Sequence, residues 1–146
     1  MGHRRGRPRH GVRGRHHERQ GALTGEAGSA IIDFALVGGL VTVLFVAVLQ
    51  LTIVLHVRNT LVDSAGEGAR YGALAGRDPA DGAQRSRDLI AQSLSSAYAQ
   101  GVSAGRTTLD GLEVVEIEVE APLPLVGLVG LAGTLTVRGH ALVEEP

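Results

Sequence analysis

The residues with the clearest chemical meaning lie at 28–34, Gly28-Ser29-Ala30-Ile31-Ile32-Asp33-Phe34, where a carboxylic acid stands at the threshold of an uncharged apolar run. An ionised carboxylate inside lipid is expensive, so an acid in this place has either an interfacial or a functional meaning. The interfacial reading is an acid in the first turns of a helix, favourable to its dipole by about 0.3–1 kcal/mol. The functional reading needs Gly28, five residues earlier, as well. A second group of carboxylates, Glu116, Glu118 and Glu120, alternates with Val115, Ile117 and Val119. On a strand such groups stand about 6.8 Å apart, too far to chelate one ion together. The expectation is a solvated face or an arginine-paired one, with Arg138 opposite the glutamate row. His16-His17 sit among arginines, where metal affinity would be an effect of composition, and His56 closes the apolar run as an interfacial polar residue. No G-x-S-x-G, Walker loop or H-E-x-x-H occurs. Zero cysteines exclude a disulfide scaffold, thiolate metal sites and a cysteine nucleophile. The expectation is a chain that is not an enzyme and holds no cofactor or metal.

The element that positions Asp33 is the strongest feature of the chain. Phe34 to Val57 is a run of 24 residues, FALVGGLVTVLFVAVLQLTIVLHV, without one formally charged side chain. As a helix it extends about 36 Å, more than the roughly 30 Å of a hydrocarbon core. The chain has 146 residues, two Phe, two Tyr and no Trp, which leaves little to cover such a helix on all sides in a soluble core. The run therefore predicts a membrane span. Charge sets its direction. Residues 1–28 hold seven arginines against Glu18 and Glu26, a balance of +5, although the whole chain carries −1 and has no lysine. Beyond the run, Arg58, Asp63, Glu67 and Arg70 cancel. The positive-inside bias places the N-terminus in the cytoplasm and the rest outside. A cleaved secretory signal would have a shorter apolar core, about 7–15 residues, with a small-x-small site close behind. Here Ala73-Leu74-Ala75 lies well past Val57.

Residues 1–28 have no apolar period and read as a disordered basic leader. No aromatic residue interleaves its arginines, so no nucleic-acid partner is expected. Past the span, Ala65, Ala69, Gly72 and Gly76 recur at steps of four, three and four and so share one helix face. Such a face lets another helix approach closely; the alternative is a flexible Gly-Ala linker. Residues 76–82 read as a loop, and residues 83–99 as a second, amphipathic helix with Leu89, Ile90, Leu94, Ala97 and Tyr98 as its stripe and Gly101 as its stop. The period then changes to two. LEVVEIEVEA (112–121) predicts a strand with Val115, Ile117, Val119 and Ala121 on one face. TLTVRGHALV (134–143) predicts a second, with Leu135, Val137, Ala141 and Val143 inward and Arg138 and His140 outward. The almost wholly apolar connection at 122–133 either meets membrane or a partner, or folds back over the sheet.

The stretch GSAIIDFALV, a glycine, four residues, an acid and an aromatic leading into the apolar run, resembles the prepilin-peptidase motif of type IV pilins. With VRNTLVDSAGEGARYGAL after the run it is similar to TadE-like proteins, the pseudopilins of the tight-adherence (Flp-type IVb) pilus system. The closing VVEIEVEAPLPLVGL and GTLTVRGHALVE fit that family more loosely, so the resemblance covers residues 26–146 in outline. It implies cleavage between Gly28 and Ser29 by a prepilin peptidase on the cytoplasmic side. It also implies that Asp33 pairs with the new N-terminal ammonium of a neighbouring subunit, and that Phe34 completes the processing motif. The family acid is usually glutamate, and the family often has a proline where this chain has Gly38-Gly39.

Together these readings predict an α+β membrane protein with a long N-terminal transmembrane helix, a short second helix and a C-terminal antiparallel β-hairpin or small sheet. The expected organisation is a basic cytoplasmic leader (1–28), a transmembrane helix with an extracytoplasmic extension (29–76) and a small extracytoplasmic α+β domain (77–146). The expected role is a minor pilin or pseudopilin in the cytoplasmic membrane or its pilus. Its expected partners are lipid, the prepilin peptidase, other pilin-like subunits and the pilus assembly machinery. The alternative is an uncleaved single-pass anchor serving as an accessory subunit of an envelope complex.

Overall fold

The computed structural model describes Gly2 and residues 20–124 and 133–144, with side chains from residue 28 onward. Most of the basic leader, with His16-His17, and residues 125–132 of the apolar connection lie outside the described residues. The elements are α1 (Gln20–Ala73), α2 (Pro79–Ser93), a single 3-10 turn (Ser96–Ala99) and three strands, β1 (Gly101–Leu109), β2 (Leu112–Pro122) and β3 (Thr134–Leu142). The chain divides into two compact units, Met1–Phe45 and Val46–Pro146. In the first, α1 is the element described, and each of its described side chains is exposed.

α1 is long because nothing interrupts it: no proline stands between Pro8 and Pro79. It begins at Gln20, inside the segment expected to lack structure through residue 28. Once a helix exists each added residue contributes a hydrogen bond, and propagation carries it back through a proline-free stretch. The expected end at 76 is likewise corrected to Ala73. Gly76 lies in the following turn at φ +80°, a left-handed conformation that glycine adopts without a Cβ clash. The carbonyl of Ala73, an orphan of the helix end, accepts from the Glu144 N–H at 2.9 Å.

α2 starts earlier than the expected residue 83, because the stretch read as a loop contains its cap. Asp78 accepts from the Asp81 N–H while the Asp81 carboxylate accepts from the Asp78 N–H, and Pro79 opens the helix. The helix also ends earlier, at Ser93, and residues 96–99 form the separate 3-10 turn. Of the expected stripe, Ile90 is buried, Leu89, Leu94 and Tyr98 are half-buried, and Ala97 is exposed.

The sheet has three antiparallel strands in the order β1-β2-β3. The two expected strands are present, in the expected register of faces: Val115, Ile117, Val119 and Ala121 are buried on one side of β2. β1 is the strand that period alone does not reveal, since Val102 is its one buried residue. Its hairpin to β2 turns through Asp110 (φ 52°) and Gly111 (φ 82°). Two successive positive φ values match the right-handed twist of the flanking strands. Arg87 of α2 donates to the Val102 carbonyl at 2.8 Å, which covers one acceptor on the free edge of β1.

The core is assembled around α1 by close backbone approach. Val57, Leu61, Ala65, Ala69 and Ala73 form one buried stripe of α1 over β2 residues Val115, Ile117 and Val119. Ile117 lies between Ala104 and Gly139 in the register. A Cβ on Gly139 would collide with the Ala65 backbone. Against α2, Gly68 and Gly72 of α1 meet Gly82 and Ser86, and a Cβ on Gly68 would strike Ser86 Oγ and the Gly82 carbonyl. The Ser86 hydroxyl donates to the Ser64 carbonyl at 2.9 Å across that contact. Both buried serines are satisfied, since Ser64 donates to the Thr60 carbonyl at 2.8 Å.

Overpacking at such a contact costs about 1–3 kcal/mol. Gly139→Val is expected to lower the unfolding free energy of the full chain in detergent by that amount. Gly105→Val, on open space in β1, is expected to leave it within about 0.5 kcal/mol. Urea titration followed by circular dichroism checks the pair, and equal losses would contradict the packing described.

Candidate functional site

The motif residues lie on one side of the fold's chemistry. Gly28, Ser29, Asp33 and Phe34 are consecutive turns of α1, all exposed, and space around Gly28 is open to 4 Å. Phe34 is 80% exposed. Among the described residues no ion pair or side-chain hydrogen bond is made by Asp33. The scissile bond expected at Gly28–Ser29 is therefore accessible but sits in helical backbone.

From Gly28 to Leu49 every side chain of α1 is exposed, including Leu36, Leu40, Leu44 and Phe45. This helix is long and apolar enough to cross a membrane: over Gly28–Ala73 its most apolar window has a mean hydropathy of 2.5 and none of it is buried. The threonine hydroxyls in the run are turned back on the helix. Thr42 donates to the Gly38 carbonyl at 2.8 Å and Thr52 to the Val48 carbonyl at 2.9 Å. Such i−4 bonds satisfy a hydroxyl where no water is at hand. Gln50 donates through Nε2 to the Pro124 carbonyl.

The small-residue positions part company. Ala65 and Ala69 are fully buried in the core, and Gly72 is buried beside Gly82 and the Asp78 carbonyl, whereas Gly76 is exposed in the turn. Gly68, absent from the expected face, makes the tightest approach to α2. The signal for it was spacing to Gly72, four residues on, which puts both on one face.

Two of the three carboxylates on the acidic face of β2, Glu116 and Glu118, are paired across the strands. Glu118 bonds the Arg138 guanidinium, and Glu116 lies 2.7 Å from His140 Nε2. The hydrogen bond and charge of Glu118 raise the Arg138 pKa above its ordinary value. On the other face, Arg106 bonds Glu113 at 3.1 Å. Those two residues, with Arg77 and Glu144, line a cavity of about 330 Å³ at the end of α1. Arg77 also stacks over Tyr71, 4.8 Å from the ring centre. Among the described residues no group of three His, Asp or Glu side chains could hold a metal ion.

No curated protein and no solved structure matches this chain. A family model described as TadE-like protein matches residues 28–70, from the glycine of the motif through the exposed apolar helix to the buried stripe over the sheet. Over that segment the chain is similar to TadE-like proteins.

Proposed function

We propose that the chain is a membrane-anchored minor pilin or pseudopilin that assists assembly of a tight-adherence pilus or a related secretion filament. One observation carries this reading. The TadE-like segment contains a helix that is exposed on every side from Gly28 to Leu49 and, from Phe34 onward, apolar there except for Thr42. Such a surface has no stable place in water, whereas in lipid the helix satisfies its own backbone and its apolar side chains meet their like. The arginines of the leader set the orientation, with residues 1–28 in the cytoplasm, 29–76 as the span and its extension, and 77–146 outside. The role is structural, and no catalysis is assigned to it.

Processing follows from the same segment. Cleavage after Gly28 by a prepilin peptidase leaves Ser29 with a free ammonium group, and Asp33 lies one helical turn further on. Pairing of Asp33 with the ammonium of a neighbouring subunit reduces the cost of two charges in an apolar bundle. The partners are then lipid, the peptidase, other pilin-like subunits and the assembly machinery. A second reading, the uncleaved single-pass anchor, is favoured by the helical backbone at Gly28–Ser29, because a protease must unwind it. Glycine lowers that barrier by about 1 kcal/mol relative to alanine.

In cells that contain a prepilin peptidase, a C-terminally tagged full chain recovered from membranes is expected to begin at Ser29. Gly28→Ala is expected to leave residues 1–28 attached. Intact-mass spectrometry reads both, and a full-length wild-type product resident in the membrane selects the anchor. The chain has no natural cysteine, so orientation is read by single cysteines and a membrane-impermeant maleimide. Asp110→Cys is expected to be labelled in intact spheroplasts, and Gly2→Cys, combined with Gly28→Ala so that the leader stays attached, only after permeabilisation. The reverse pattern would invert the topology.

A further inference from the structure

We propose that the closed end of the β2–β3 pair, Pro122, Leu123 and Pro124 with Gly133 and Thr134, is a second membrane contact that docks into lipid beside the span. The proposal rests on the reading of α1 as a transmembrane helix. Its first support is depth. Pro124 accepts a hydrogen bond from Gln50, and Gln50 precedes Arg58, the first charge after the apolar run, by eight residues. That separation is about 12 Å along a helix. This end of the sheet is thereby held against a part of α1 that belongs to the uncharged run.

The second support is the backbone. At hydrocarbon depth, polar backbone groups must find partners within the protein. Pro122 and Pro124 have no N–H to satisfy. The Leu123 N–H, between them, donates to the Gly133 carbonyl at 3.0 Å. On the β2 side of this end no donor is left open. Pro122 also lies past the end of β1, whose Gly101 pairs with Glu120, so a donor here would have had no strand to meet.

The third support is the distribution of charge along the strands. From Ala121 to Gly133 the chain has no charged side chain. The opposite end of the sheet carries Asp110, Glu113 and Arg106, with Glu144 beside them. The sheet thus has a charged end and an uncharged end, and the uncharged one is joined to the uncharged run of α1. A lipid boundary matches that gradient on helix and sheet together, which selects lipid over a protein surface.

The test uses the full chain in phosphatidylcholine vesicles with single cysteines carrying an environment-sensitive fluorophore. Leu123→Cys and Thr134→Cys mark the proposed contact, Leu142→Cys the opposite end of β3 and Leu44→Cys the span. Two contact variants are used so that a folding defect in one, seen by circular dichroism, leaves the other to decide. Nitroxide-labelled lipids are expected to quench the probes at 44, 123 and 134, the last two more strongly with shallow than with deep nitroxides. Aqueous iodide is expected to quench the probe at 142. Lipid quenching at 44 with iodide quenching at 123 and 134 would overturn the contact and leave the span standing. Probes at 123 and 134 shielded from both quenchers would assign this end to a protein partner and overturn it equally. Loss of lipid quenching at 44 itself would remove the span, and the contact with it.

Discussion

Beyond Phe45 the aromatic residues are Tyr71 and Tyr98, so this domain must gain its stability from closeness of contact rather than from large side chains. Dispersion between atom pairs is small individually and grows only with contact number. The structure meets that constraint by bringing backbones together. α1 offers alanine and glycine along two adjoining faces, Ala65 and Ala69 toward the sheet and Gly68 and Gly72 toward α2. The partners answer with Gly139 on β3 and Gly82 on α2. Leu61, Ile90, Ile117, Val115 and Val119 then fill what remains and are fully buried. Each contributes about 1.5–3 kcal/mol of burial.

The same helix lives under two different rules. In residues 57–73 its burial is one-sided, at the spacing of a helix face set on a core. In residues 34–49 exposure is complete, and every side chain but Thr42 is apolar. The glycines and hydroxyls follow this change of rule. Gly38 and Gly39 meet open space, whereas Gly68 and Gly72 meet backbone. Thr42 and Thr52 bond their own helix, whereas Ser64 accepts through its carbonyl from Ser86 of α2.

The outer face of the sheet shows how little a row of carboxylates says by itself. Glu116, Glu118 and Glu120 invite comparison with a metal site. Cross-strand register instead brings His140 to Glu116 and Arg138 to Glu118. Exposed cross-strand pairs of this kind stabilise a sheet modestly. Their register also points Val115, Ile117 and Val119 inward, because strand side chains alternate.

By itself the sequence determined the features that depend on near neighbours along the chain. These are the uncharged run from Phe34, the glycine–acid–aromatic motif before it, and the alternation that separates Val115, Ile117 and Val119 from the glutamates. The Asp78–Asp81 cap lay in residues read only as a loop, and the Asp110-Gly111 turn in residues to which no element was assigned. Tertiary structure alone decided what the small-residue face would meet, because Gly68, Gly82 and Gly139 acquire meaning only when elements distant in sequence come within a Cβ of one another. It also decided β1, an edge strand with a single buried side chain. The bond from Gln50 to Pro124 belongs with it: no period or motif joins residues so far apart, and only the packing of helix on sheet brings that donor to that carbonyl.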